Sequence, residues 1–109
     1  MKLINKNGRW IHQDKAWNIP AEGHDGNIED QDSGEVLGLL NDATHLGNLV
    51  VLETKDMALR DEQTWIRKVA DANNWFRLKN PCSGRVLTAQ TSNHLTIGGM
   101  YMSELFVRL

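Results

Sequence analysis

One cysteine, two prolines and one tyrosine are all that this 109-residue chain contains of those residues. A lone thiol, Cys82, can close no internal disulfide, so packing alone must hold the fold. That fits a reducing compartment without demanding one. Charge of one sign is also lacking: 14 acidic residues face 12 basic ones, for a formal net charge of −2. No basic stripe is visible, which argues against nucleic acid or an anionic membrane as the main partner. No apolar run approaches the length of a membrane span, so no membrane insertion is expected. The opening MKLINKNGRW lacks the apolar core of a secretory leader. The compartment stays open, with the cytoplasm favoured.

The chemical motifs are equally sparse. There is no Gly-rich phosphate loop, no HExxH, no GxSxG and no cysteine pair. Neither catalysis nor a cofactor is expected. His12, His24, His45 and His94 are scattered, with no i, i+4 pair to hold a metal. The acidic stretch from His24 to Glu35 resembles a calcium loop only in composition. Counted from Asp30, position 6 is Glu35 where glycine is needed, and position 12 is Asn41 where glutamate is needed. Cys82 follows Pro81 in a turn and shows no sign of being a nucleophile.

What is present is a repeated phrase. Asn7-Gly8-Arg9-Trp10-Ile11, Ser33-Gly34-Glu35-Val36-Leu37 and Ser83-Gly84-Arg85-Val86-Leu87 share one pattern. A small polar residue precedes a glycine, and bulky or β-branched residues follow. Glycine can take positive φ without a Cβ clash, so the chain can turn there and start a strand at once. A second phrase follows each copy: Lys15-Ala16-Trp17, Gln63-Thr64-Trp65 and Glu104-Leu105-Phe106. The gaps from glycine to aromatic are 9, 31 and 22 residues. A constant frame with variable inserts is how structural repeats differ.

These phrases, with Gln-x-Trp closing a unit and Ser-Gly-x-x-Leu opening the next strand, resemble the ricin B-chain type of β-trefoil lectin. The resemblance spans the whole chain as three units, roughly 1–25, 26–73 and 74–109, and is clearest from Ile28 to Leu87. It implies an all-β domain of residues 1–109, a β-trefoil with pseudo-threefold repeats. Six strands would close a barrel and hairpins would cap it. The short gap in the first unit implies a trimmed repeat that has lost a hairpin or most of a loop. Trp17, Trp65 and Phe106 are then equivalent core residues.

A competing reading makes residues 61–76 a helix, with Asp61 as cap and Trp65 and Val69 four apart. Asn73-Asn74 argues against it, because it reads as the turn of a hairpin between two strand-like runs.

In lectins of this type an Asp follows the x-Leu of the strand, an aromatic platform lies some fifteen residues later, and polar residues precede Gln-x-Trp. Here the Asp position holds His12, Gly38 and Thr88, and the platform of the second unit falls near Glu53. Any sugar site must therefore be rebuilt from other residues. The long second insert offers Asn41, Asp42, His45 and Asn48, with Glu53 nearby, and Asp42→Ala is expected to weaken binding. Trp75 is the other lead. If Phe76 and Leu78 face inward, strand alternation turns Trp75 and Arg77 outward. The expectation is a non-catalytic carbohydrate-binding module whose partner is a glycan or glycoprotein, with a homodimer left open. The alternative is a protein-binding trefoil, such as a protease inhibitor or cytoskeletal binder, acting through its loops.

Overall fold

The computed structural model describes residues 2–5, 8, 11–12, 14–56, 61–69, 75–91, 94–98 and 106–108. At 69 and 106–108 it describes the backbone. Among the described residues the Gly-led turns and alternating runs become eleven strands. These are β1 (Leu3–Asn5), β2 (Trp17–Asn18), β3 (Asp25–Gly26), β4 (Glu29–Asp30), β5 (Val36–Leu39), β6 (Leu49–Glu53), β7 (Trp65–Val69), β8 (Phe76–Asn80), β9 (Arg85–Thr91), β10 (His94–Gly98) and β11 (Phe106–Arg108). Two single 3-10 turns, Leu40–Asp42 and Asp61–Gln63, are the helical elements among the described residues. All strand pairs are antiparallel, in one curled sheet.

The register repeats three times. The last strand of each unit pairs with the first strand of the next through matching positions. Trp17 lies opposite Asp30, and Phe106 lies opposite Asn5. The Ile66–Lys79 pair sets Trp65 level with Asn80 in the same way. Within units, Gly26 faces Trp65 and Phe76 faces Phe106. The barrel order is thus β2, β3/β4, β7, β8, β11, β1, where β3 and β4 are two halves of one stretch. Among the described residues no pairing joins β1 to β2.

Two hairpins cap the barrel, β5–β6 and β9–β10, and they join through β6 and β10. In the first unit the chain instead turns within six residues, from Ile11 to Trp17, closed by Lys15 N–H donating to His12 O at 2.7 Å. The first repeat is trimmed as its short gap implied. Curling the sheet round in this way leaves few edges for another chain to add to.

The core is built from equivalent residues. Leu3, Ile28 and Leu78 form one set and Ile11, Leu37 and Leu87 another, all buried. Trp17 and Trp65 are fully buried above them. Each donates its indole N–H to the matching carbonyl, Trp17 to Ile11 O at 3.3 Å and Trp65 to Leu37 O at 2.9 Å. A buried indole therefore keeps its hydrogen bond while supplying the largest apolar surface in its unit. The side chain of the third aromatic, Phe106, lies outside the described residues.

The helix reading fails over its described part. Residues 65–69 and 76–80 are strands, and Asp61 begins a 3-10 turn. Alternation settles the matter locally: Trp65, Phe76 and Leu78 are buried, whereas Lys68 is exposed and Ile66, Arg77 and Lys79 are half-buried. The Asn73-Asn74 turn lies outside the described residues.

Candidate functional site

The long loop between β5 and β6 holds four of the residues that the sequence singles out. Asn41 and Asp42 have left-handed backbones, φ 53° and 57°, a conformation that Asn and Asp tolerate better than most residues. Both are exposed, as is His45. Asn48 is different. It is buried, and its amide donates to Leu40 O at 3.1 Å and Ala43 O at 2.7 Å. Both amide hydrogens are thereby used to close the loop. Asn48 thus shapes the loop that carries Asn41, Asp42 and His45.

Glu53 sits apart from that loop, at the far end of β6 opposite Val36. Its carboxylate reaches back over Gly38. A Cβ placed on Gly38 would overlap Glu53 Oε1, would come within 2.6 Å of Glu53 Cδ, and would lie 3.2 Å from Gln63 Cγ. Gln63 is buried and orders the corner. Its amide donates to Glu53 Oε1 at 2.9 Å and Thr54 O at 3.0 Å, and its Oε1 accepts from Asp56 N–H at 2.8 Å. Asn27 Nδ2 in turn donates to Gln63 O at 2.8 Å. A carboxylate can accept about four hydrogen bonds, so half-exposed Glu53 keeps capacity for hydroxyl groups. A cleft of about 290 Å³ is lined by Asp25, Gly26, Asp61 and Thr64.

The positions equivalent to Gly38 are built otherwise. His12 has φ 43° and meets the Trp17 ring edge-on, with centroids 5.9 Å apart. Burial first, and Lys15 second, hold the His12 imidazole below its usual pKa, which favours the neutral ring. Thr88 is buried, and its hydroxyl donates to Val86 O at 3.4 Å.

Trp75 lies one residue ahead of β8 and is half-buried. The residues singled out thus occupy three places: the loop of residues 40–48, the Gly38 corner with Glu53, and the β8 side with Trp75. Cys82 is exposed, and desolvation followed by Glu62, Asp61 and Asp42 raises its thiol pKa, the reverse of an activated nucleophile.

Sequence reasoning passed over a buried polar set at the end of each unit's first strand. Asn5, Asp30 and Asn80 are all buried. Asp30 accepts from Asp32 N–H at 3.1 Å and Ser33 Oγ at 3.0 Å, and Asn80 Oδ1 accepts from Ser83 N–H at 2.8 Å. Asn80 Nδ2 also donates to Asp61 O and Thr64 O, which ties the 3-10 turn to the barrel. The signal was readable as an Asx residue three or four positions before each turn glycine.

No family model matches the chain, and no curated protein sequence matches it. Solved structures do. The chain is similar to a designed three-fold symmetric protein, ThreeFoil, with a TM-score of 0.80 and 16 % identity, over 99 % of this chain and 97 % of that one. It is similar to a salivary protein from Culex of the Cysteine and Tryptophan-Rich family, with a TM-score of 0.75 and 20 % identity, over 97 % of this chain and 89 % of that one. It is also similar to the Polyporus squamosus lectin bound to a Neu5Acα2-6Galβ1-4GlcNAc epitope, with a TM-score of 0.60 and 16 % identity. That match takes 85 % of this chain and 34 % of the lectin chain. Together with the threefold register, the likeness to a three-fold symmetric design identifies the fold as a β-trefoil.

Proposed function

We propose that the protein is a non-catalytic carbohydrate-binding module whose second unit carries the sugar site. The observation that supports this reading best is the Glu53 carboxylate, held by Gln63 above Gly38. That is where the lectin pattern carries its Asp. The acceptor is supplied from the neighbouring strand, and the glycine leaves room for it. Asn41, Asp42 and His45, on the separate loop of residues 40–48 of the same unit, offer further short polar groups suited to vicinal hydroxyls. The fold shared with a glycan-bound lectin supports the same class.

A glycan array followed by calorimetric titration of the best ligand tests the proposal. Glu53→Gln and Gly38→Ala are expected to weaken binding about tenfold, as for a lost or displaced charge-assisted hydrogen bond. Asp42→Ala measures the share of the loop. The melting temperature should stay close to wild type for Glu53→Gln and fall slightly for Asp42→Ala, because alanine tolerates the left-handed backbone there less well than Asp. A wild type that binds no glycan overturns the proposal and leaves the protein-binding alternative. A glycan bound equally well by the wild type and all three variants places the site outside the second unit.

A further inference from the structure

Cations that the sequence disperses are collected by the β7–β8 ladder. Lys68 lies directly opposite Arg77, and Ile66 opposite Lys79. Buried Phe76 and Leu78 fix the inner face, so alternation sets Lys68, Arg77 and Lys79 on the outer one. Trp75 has the same parity as Arg77 and Lys79. Like charges directly opposite in an antiparallel pair are destabilising. Among the described residues none of the three cations makes an ion pair. The Arg77 Nε is enclosed and has no hydrogen-bond partner among the described residues. A cleft of about 310 Å³, lined by Glu22, Gly23, Ile66, Arg67 and Lys68, opens at one end of this face. Among the described residues, Glu22 lines that cleft and Asp25 lies opposite Ile66.

We propose that this outer face, formed by Lys68, Arg77 and Lys79 beside Trp75, binds an anionic, sulfated glycan chain. The inference rests on the carbohydrate-binding reading and adds to it the charge class of the ligand and a second contact surface. Two facing cations and a third two residues along, about 7 Å away, suit a chain with sulfate groups spaced over one or two sugar rings. A duplex would need a wider basic field than one hairpin of a chain with net charge −2 provides. Among the described residues no carboxylate pairs with Lys68 or Arg77, an arrangement that disfavours the free protein, and a bound sulfate would neutralise it.

The test uses a heparin-derived oligosaccharide, its desulfated counterpart and a single-stranded DNA of matched charge, titrated against the full chain at low and physiological salt. The wild type should prefer the sulfated sugar to both controls and should weaken with salt. Lys68→Gln/Arg77→Gln should lose tenfold or more in affinity. Its melting temperature should stay equal or rise, because the repulsion is gone. Lys2→Gln/Lys55→Gln, with the same change in net charge, should bind as wild type does. Single Lys68→Gln serves if the double variant does not fold. Equal affinity for the desulfated sugar overturns this inference while leaving the carbohydrate reading intact. Equal affinity for the DNA, equal loss in the control variant, or no binding of the sulfated chain also overturns it. Absence of binding to any sugar overturns both proposals.

Discussion

Trp65 shows how much one residue carries. It is fully buried, its indole N–H reaches Leu37 O, and its backbone pairs with Gly26 on the neighbouring strand. Trp65→Ala should cost roughly 3–5 kcal/mol, through lost apolar area and the cavity left behind. A denaturant titration followed by circular dichroism reads this as a lower midpoint. Trp65→Phe should cost less and separate the terms, because it keeps most of the packing and leaves the Leu37 carbonyl without its donor. Trp17 repeats the arrangement with a longer bond to Ile11 O, 3.3 Å against 2.9 Å. Lys15 occupies the position that Gln63 holds in the second unit, so a cation reaches Asp30 where an amide reaches Glu53.

The unit of construction at the next scale is the Gly-led turn. Gly34 and Gly84 have φ of 76° and 70°, and each N–H donates to the Asx carbonyl four residues back at 2.9 Å. Gly8 has φ 79° and bonds three residues back to Asn5 O at 3.0 Å, a turn one residue shorter. A Cβ at any of the three would meet nothing within 4 Å. The cost of replacement is therefore conformational and not steric crowding. Gly34→Ala and Gly84→Ala should each destabilise by about 1 kcal/mol, seen as a small fall in melting temperature. A d-alanine introduced at Gly34 by chemical synthesis should recover the loss. Equal melting for wild type and the l-alanine variants would show that the left-handed turn is not what holds these glycines.

Across the whole molecule, the first and second units are tied by an ion pair. Lys15 Nζ lies 3.0 Å from Asp30 Oδ2, where Asp30 is fully buried and Lys15 partly exposed. Lys15, with the turn donors of Asp32 and Ser33 behind it, holds the Asp30 carboxyl below its usual value of 3.8. The bond to Asp30 raises Lys15 above its usual 10.5. A lowered acid pKa contributes stability that is present above 3.8 and is lost as pH falls through the folded value. A raised base pKa contributes stability that is present below 10.5 and is lost as pH rises through the folded value. Melting temperature should hold across the neutral range and fall at both ends. In Asp30→Asn both flanks should flatten, because neither group then titrates against the other. A variant profile parallel to wild type would place the acid sensitivity elsewhere.

Much of the fold was determined by local chemistry. The glycines after small polar residues, the aromatics at the close of each unit and the alternation of Phe76 and Leu78 with Arg77 and Lys79 each act within a few residues. They carried the all-β reading, the threefold repeat and the trimmed first unit. The Asx residues before each turn were equally local and readable. The candidate site was legible only in part, because its geometry depends on register between strands. Glu53 lies fifteen positions from Gly38, and it reaches the glycine only because β6 folds back on β5 with Val51 opposite Gly38. Asn48 looks like any loop amide until the loop closes around it. Lys68 and Arg77 stand nine positions apart in a chain with no basic run, and the β7–β8 ladder sets them face to face. In β8 periodicity decides which residues are buried, because burial there follows the strand's own alternation, whereas in β5 four successive residues are buried by what packs on both faces. Which polar side chains meet is decided by pairing between strands, and that is a property of the closed barrel.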